Sequence, residues 1–308
     1  MTTDYQDARP SNTLYHLKHL ACIEVSGDDA SQFLQGQLTC NINELSDSKA
    51  SVAAFCNPKG RVISTLLIIK TQSSFLLILP LSLQDKVIRK LQMYVLRSKV
   101  QLTDKSDTYS LIGFNNISFQ NDFSLPTIDF HCSHSDDLID VKLPSSTTPR
   151  FLCIITALSH VKPLFEGFVR GDCNEWRYQD ISSGFPWFDI SQSEKHIPQM
   201  LNLDQLGGIS YNKGCYTGQE IIARTHYLGK TKRHLCLVEC KRNLQLDSEH
   251  DLAVLDAETR KKIGELLDFQ TLGETTRMLV VLQTVDEEIK NLILDDCERS
   301  PLTLIPFQ

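Results

Sequence analysis

One short stretch holds most of the chemistry that residue types and spacing reveal. It reads Lys213-Gly214-Cys215-Tyr216-Thr217-Gly218-Gln219-Glu220 and continues Ile221-Ile222-Ala223-Arg224. A cysteine reacts as its thiolate, which neighbouring cations and helix N-termini favour. Lys213 offers a charge two residues from Cys215. Thr217 and Glu220 have capping-box spacing, with the hydroxyl on the Glu220 N–H and the carboxylate reaching back to the Thr217 N–H. Tyr216 and Ile221 would complete a hydrophobic staple. The pattern predicts a helix capped by Thr217, with its partial positive charge close to Cys215. Gly214 and Gly218 leave room for a ligand or another backbone. A capped turn whose cysteine merely packs accounts for the same residues.

Other side chains could assist. Arg224 lies four residues after Glu220, placed for an ion pair on one helix face or for a ligand anion. Lys230, Lys232 and Arg233 form a basic turn, most simply a solvated one. Trp176, Phe185, Trp187, Phe188 and Tyr211 could wall a flat ligand, although each is more simply core. Asn202 offers a fixed amide, and Gln219 could orient a ligand or serve the helix end. His226 could donate a proton or lie exposed at a helix end. His131-Cys132-Ser133-His134 reads as a polar loop, since no second pair stands at zinc-like spacing. No metal site is expected, and no phosphate loop, dinucleotide fingerprint or HExxH motif is present.

These groups need elements to hold them. His19–Val25 alternates as a strand, and Gly27-Asp28-Asp29 precedes a helical pattern through Ala30, Phe33, Leu34 and Leu38. Val52–Phe55 is a short strand, Asn57-Pro58-Lys59-Gly60 a turn, and Val62–Ile69 with Phe75–Leu79 a hairpin. Leu83–Leu96 has helical spacing. Residues 1–13 read as a floppy tail, and 115–150 as polar and turn-rich. Phe151–Ile155 is a strand, and Trp176–Ser183 a helix ending at Gly184. Six short strand candidates follow: His234–Cys240, Asp251–Asp256, Lys262–Leu267, Met278–Val285, Asn291–Leu294 and Leu302–Pro306. Together they predict a small closed or nearly closed barrel after a domain boundary near 230.

The chain of 308 residues is 41% apolar and 22% charged, with a net charge of −7. It can bury sizeable cores without disulfides, and it lacks the basic surplus of a general nucleic-acid coat. Of its ten cysteines, Cys22, Cys56, Cys153, Cys236 and Cys240 fall in apolar strand runs, where reduced thiols pack. The start is too polar for a secretory signal, and no apolar run reaches membrane-spanning length. A soluble, reduced, cytoplasmic protein is expected.

The run from Ile197 to Leu235, centred on Lys213–Glu220, resembles the YgfZ family, folate-binding proteins linked to iron–sulfur cluster assembly or repair and, in bacteria, to tRNA modification. Phe33-Leu34-Gln35-Gly36-Gln37-Leu38-Thr39 resembles the family's N-terminal segment, and Asn57-Pro58-Lys59-Gly60-Arg61 its lysine–glycine turn. The resemblance implies an α+β fold of the aminomethyltransferase type. Residues 1–230 would form a region of two subdomains, one inserted at about 46–112. Residues 231–308 would form a C-terminal β-barrel, and a central site would take tetrahydrofolate or a derivative. It implies a functional thiol at Cys215 with Lys213 beside it, and ligand contacts from Arg224, Gln219, Tyr216, Asn202 and Trp187. Partners would be iron–sulfur enzymes or cluster-assembly proteins and a small-molecule folate; the net charge of −7 disfavours direct nucleic-acid binding, and no membrane partner is expected.

Some positions depart from the related aminomethyltransferases. Their adjacent aspartates after the glycine turn are replaced by Ser64 and Thr65. Met200 stands where an acidic residue is common, and Cys40-Asn41 replaces a segment that is often acidic. Aminomethyl transfer is thereby disfavoured, and whether this chain is an enzyme stays open, with a one-carbon transferase or a folate-regulated docking module as alternatives.

Overall fold

A computed structural model describes residues 12–116, 125–135, 137–156, 165–229, 231–246, 252–283 and 291–308. The described chain begins with β1 (Asn12–His16), then enters a five-stranded antiparallel sheet. That sheet comprises β2 (Leu20–Ser26), β3 (Ser51–Cys56), β4 (Val62–Lys70), β5 (Ser74–Pro80) and β6 (Gln101–Asp104), in the order β3-β4-β5-β2-β6. Residues 62–69 of β4 and all of β5 are buried. Their apolar residues therefore run on rather than alternate, with Ser64, Thr65 and Ser74 as buried polar exceptions, because both faces are covered. The hairpin between β4 and β5 agrees with the sequence pattern.

Two helices attend this sheet. Helix α1 (Ala30–Gln37) buries Ala30, Phe33 and Leu34. Asp29 precedes it, but its carboxylate accepts the Lys99 backbone N–H at 2.7 Å instead of capping the helix. Helix α2 (Gln84–Val95) buries Val87 and Leu91, as its spacing predicts.

The next region corrects the sequence reading. It contains β7 (Ser110–Asn116), β8 (Cys132–Ser135), β9 (Leu138–Leu143), β10 (Arg150–Ile155) and β11 (Val169–Arg170). With β1 these form a six-stranded sheet in the order β11-β1-β7-β10-β9-β8. The tail assigned to residues 1–13 thus already includes strand at Asn12 and Thr13, and residues 1–11 lie outside the described set. The polar middle hides β8 because an edge strand needs only one buried face. It hides β9 because the buried Asp140 accepts a hydrogen bond from Cys153 across the sheet. The Cys132 thiol donates to the Asp47 carbonyl, which ties β8 inward.

Helix α3 (Cys173–Ser182) is followed by Gly184 at φ +72°, the residue expected to end it. The glycine-rich segment leads into helix α4 (Gln219–Leu228). The chain then closes a six-stranded barrel from β12 (Arg233–Cys240), β13 (Ala253–Asp256), β14 (Lys262–Leu272), β15 (Thr275–Gln283), β16 (Leu292–Leu294) and β17 (Pro301–Ile305). The order is β12-β15-β14-β13-β16-β17. These are the six predicted strands; the predicted limits at Asp251 and Val285 fall outside the described residues.

The barrel has its own interior, built on Val238, Met278, Val280 and Leu294. Its outer wall, through Leu235, Leu237, Leu267, Leu279 and Val281, joins the main core of the preceding body. Among strand residues this is the expected consequence of alternation, with successive side chains facing opposite ways. The seam between body and barrel is therefore apolar along much of its length. No helix among the described residues is long and apolar enough to cross a membrane.

Candidate functional site

Two glycine turns far apart in sequence meet at the site. Gly60 has φ +69° and Gly218 φ +84°. A Cβ on Gly218 would lie 2.7 Å from the Asn57 carbonyl oxygen and 2.9 Å from the Gly60 Cα. A Cβ on Gly60 would lie 3.1 Å from the Ile221 Cβ. Only glycine combines that backbone conformation with so close an approach. Asn57 shapes the first turn by accepting the backbone N–H groups of Lys59 and Arg61 on its side-chain oxygen. Its amide also donates to Glu194 at 2.7 Å.

This contact overturns the predicted capping box. Helix α4 starts at Gln219, its N-cap is Gly218, and no side chain caps it. Thr217 is held elsewhere: its N–H donates to the Gly36 carbonyl at 3.1 Å and its hydroxyl to Gln37 Oε1 at 3.2 Å. The left-handed turn across Gly60 moves the helix start one residue on. Cys215 therefore sits three residues before the cap, and its side chain is exposed. Tyr216 is buried, whereas Ile221 is 38% exposed.

Lys213 turns into the protein. It is 8% exposed, and its ammonium donates to the carbonyls of Leu38 at 2.7 Å and Cys40 at 2.6 Å, with Gln35 Oε1 at 3.5 Å. These acceptors follow the last turn of α1, where carbonyls lack partners within the helix. The charge also lies 4.9 Å from the centre of the Tyr216 ring. Burial pulls the Lys213 amine down to about 8. All the hydrogen bonds of this lysine serve to fasten the motif to α1. Thr39 reinforces the junction by donating to the Gly208 carbonyl at 2.6 Å and accepting from the Ala54 N–H at 2.8 Å.

A second segment, the short 3-10 turn Pro198–Leu201, brings polar side chains beside the motif. Gln199 is 3% exposed; its amide donates to the Ile222 carbonyl at 2.8 Å and reaches the Tyr211 hydroxyl at 3.4 Å. Asn202 ends the turn with φ 54°, and its amide donates to the Leu235 carbonyl at 3.0 Å. It thereby links the site to the first barrel strand. Among the described residues, three buried atoms here have no hydrogen-bond partner: Gln199 Oε1, Asn202 Oδ1 and the Tyr216 hydroxyl. Burial pushes the Tyr216 phenol up, so it stays a neutral donor. Buried polar atoms are normally satisfied, and three together mark a place where a polar ligand would find partners.

The other sequence candidates divide by environment. Gln219 opens α4 and donates its backbone N–H to the Tyr216 carbonyl. Arg224 is on the exposed part of α4, and no ion pair joins it to Glu220 among the described residues. Trp187 is 5% exposed and packs 4.7 Å from Phe185, centre to centre, so it is built into the core. Trp176 is fully buried under the Arg150 guanidinium. His226 stacks on Tyr211 at 3.7 Å with ring planes 13° apart. Lys230 lies outside the described residues. Ser64 and Thr65 are fully buried, and their hydroxyls donate to the carbonyls of Thr65 and Pro186. The position of the missing carboxylates is closed and hydrogen-bonded.

Sequence reasoning passed over Gln199 and His196. Gln199 had a signal, since it follows the helix-starting Pro198 inside the family-like run. His196 is 2% exposed, with neither ring nitrogen hydrogen-bonded among the described residues, and nothing in the sequence distinguishes it from an exposed histidine.

Residues 1–115 match the family model for the GCVT N-terminal domain. The tRNA-modifying protein YgfZ of Colwellia psychrerythraea is 31% identical over 273 residues, spanning 84% of this chain and 81% of that protein. The tRNA-modifying protein YgfZ of Sodalis glossinidius is 32% identical over 268 residues, spanning 83% and 80%. Among solved structures, glycine cleavage system aminomethyltransferase T from Bartonella henselae matches with a TM-score of 0.74 over 96% of this chain and 85% of that one. At 11% identity this is a likeness of fold, and it agrees with the α+β architecture expected from the sequence. By its similarity to these relatives over most of its length, the chain belongs to the YgfZ family, within the aminomethyltransferase-like superfamily.

Proposed function

We propose that this protein binds a reduced folate, tetrahydrofolate or a derivative, and acts as a cytoplasmic accessory factor for iron–sulfur enzymes, including tRNA-modifying ones. The observation that carries the reading is the set of unpartnered buried atoms on Gln199, Asn202 and Tyr216. Two carbonyl-type acceptors and one phenolic donor suit a flat heterocycle that carries both N–H groups and lone pairs. Gln199, Asn202 and Tyr216 would hold the pterin ring, and Gln219 at the start of α4 lies beside them. A one-carbon derivative of tetrahydrofolate, when bound, would supply its carbon unit from a ring nitrogen.

The chain's own contribution is positional. Lys213 and the paired glycine turns fix the motif, and Cys215 is left facing solvent at its outer edge. An exposed thiol on a rigid loop is accessible to a protein partner, so Cys215 would meet the cluster protein from outside. Similarity to proteins named as tRNA-modifying supports the biological setting. The buried, hydrogen-bonded Ser64 and Thr65 favour this role over aminomethyl transfer.

The test is anaerobic calorimetric titration of tetrahydrofolate into wild type and Cys215→Ser, with thermal unfolding as the folding control. Micromolar or tighter binding is expected in both. Loss of cellular activity in the folded, folate-binding serine variant would place the thiol in the function. Full activity would instead favour a folate-regulated docking module.

A further inference from the structure

Gly36 lies in the last turn of α1 without a positive φ. Glycine is a poor helix former, and a Cβ there would meet no neighbouring atom within 4 Å among the described residues. Neither backbone conformation nor packing therefore calls for a glycine. What Gly36 borders is an open cavity of about 360 Å³ between α1 and the end of α2, where Phe33, Gln37, Tyr94 and Arg97 also form the lining. The cavity shares no residue with the polar set on Gln199, Asn202 and Tyr216. Its walls are tied together where α1 begins. The Asp29 carboxylate accepts the Lys99 N–H at 2.7 Å, and the Asp29 N–H donates to the Lys99 carbonyl at 3.4 Å.

The segment that supplies Tyr94 and Arg97 also exposes Met93 by 73% and Leu96 by 87%. Leu96 holds φ 46°, a conformation that leucine rarely adopts, and it gains no burial in return. Isolated exposed apolar side chains are ordinary, but neighbouring ones form a patch that marks a contact surface. A small molecule in the cavity would leave Met93 and Leu96 in water; a protein segment lying across it would cover them. The cavity also has a sign. Arg97 is exposed and makes no ion pair or hydrogen bond among the described residues. The other charge in the lining, Asp29, is engaged by the Lys99 N–H, and the Lys99 ammonium pairs with Asp28 at 3.1 Å. One uncommitted cation thus stands beside an apolar floor.

The same wall grips the motif. The Gly36 carbonyl accepts the Thr217 N–H at 3.1 Å, and Gln37 Oε1 accepts the Thr217 hydroxyl at 3.2 Å. Cys215 is two residues from Thr217, so their Cα atoms are at most about 7 Å apart. We propose that this cavity is a docking pocket for a partner protein, taking a large apolar side chain such as leucine followed by an aspartate or glutamate. Phe33 and Tyr94 would pack on the apolar side chain, and the Arg97 guanidinium would pair with the carboxylate. Gly36 keeps the floor open. The assignment rests on the reading of Cys215 as a thiol that meets a protein from outside, and adds the hold that brings that protein to it.

The experiment titrates the isotope-labelled full chain with three capped tetrapeptides, acetyl-Gly-Leu-Asp-Gly-amide and its Leu-Asn and Ala-Asp counterparts. Backbone amide shifts of Phe33, Gly36 and Ser98 report occupancy. In wild type the Leu-Asp peptide should bind about tenfold more tightly than Leu-Asn, the worth of one charge-assisted hydrogen bond, and more tightly than Ala-Asp. Arg97→Gln should erase the preference for Asp over Asn while binding tetrahydrofolate as wild type does. Gly36→Leu fills the cavity and favours the helix. It should abolish peptide binding with an unfolding midpoint at or above wild type, an outcome that loss of structure cannot imitate. The full Asp preference in Arg97→Gln, unchanged binding in Gly36→Leu, or a folded wild type that ignores all three peptides would overturn the pocket. A wild type that sediments as a dimer, returned to monomer by Gly36→Leu, would make the occupant a second copy and overturn it as well. Full cellular activity in Cys215→Ser with the peptide preference intact would remove the thiol's role and uphold the pocket.

Discussion

Lys213 and Cys215 are two residues apart and live in opposite environments. The lysine is buried and hydrogen-bonded to the end of α1, whereas the cysteine is exposed just ahead of α4. The difference teaches how the motif divides its labour. Its inner residues, Lys213, Tyr216 and Gly218, make the loop rigid by attaching it to two distant turns. Its outer residues, Cys215 and much of α4, are left exposed. Only Ile222 of that ten-residue helix is buried. Rigidity is thus supplied from below, and reactivity is left facing out.

Breaking the inner half should have the largest effect. Gly218→Ala forces a side chain onto a left-handed backbone at φ +84° and into the Asn57 carbonyl and Gly60 Cα. We expect a loss of roughly 2–3 kcal/mol, read as a lowered denaturant midpoint. Lys213→Met leaves the Leu38 and Cys40 carbonyls without their donor, at a cost of about 2 kcal/mol. Its unfolding midpoint should fall between those of Gly218→Ala and wild type; a midpoint equal to wild type would show that the ammonium is not a fastening.

His196 allows a sharper test through pH. Burial lowers His196 to about 4 from its ordinary 6.5. Between those values the unfolded chain takes up a proton that the folded chain refuses, so stability falls as pH drops from 6.5 towards 4. His196→Phe should remove that part of the acid sensitivity, seen as a smaller difference between unfolding free energies measured at pH 7 and pH 5. The smallest effect belongs to the outer half. Cys215→Ser should change stability by less than about 0.5 kcal/mol. In the native wild type, Cys215 and Cys297, the two exposed cysteines, should be alkylated by iodoacetamide ahead of the buried ones, as peptide mass spectrometry would show.

The regular elements were legible where one periodicity dominated. The β4–β5 hairpin, α2 and the barrel strands declared themselves through apolar runs and spacing. Strands β8 and β9 did not, because an edge position and the buried Cys153–Asp140 pair put polar letters where apolar ones are expected. The motif was legible as a site but not as a geometry. Thr217-x-x-Glu220 satisfies the local rule for a capping box, yet Gly36, Gln37 and Gly60 arrive from distant parts of the chain and take its partners. No local pattern can report a contact made across so long a separation. The same holds for Lys213, whose proximity to Cys215 in sequence suggested a shared electrostatic task that its hydrogen bonds assign to α1.

That long-range fastening also sets an order in time. Most strand pairs of the five-stranded sheet are antiparallel neighbours within residues 20–104, so they can close early. The bonds from Lys213 to Leu38 and Cys40 span 175 and 173 residues, and contacts of such separation form late. During synthesis the end of α1 must wait for nearly the whole body to emerge before its carbonyls acquire a donor. A chain arrested just short of that point would keep much of its strand content and lack the site altogether. Conditions that slow the final docking should therefore yield molecules that look folded by their backbone signal and are functionally blank.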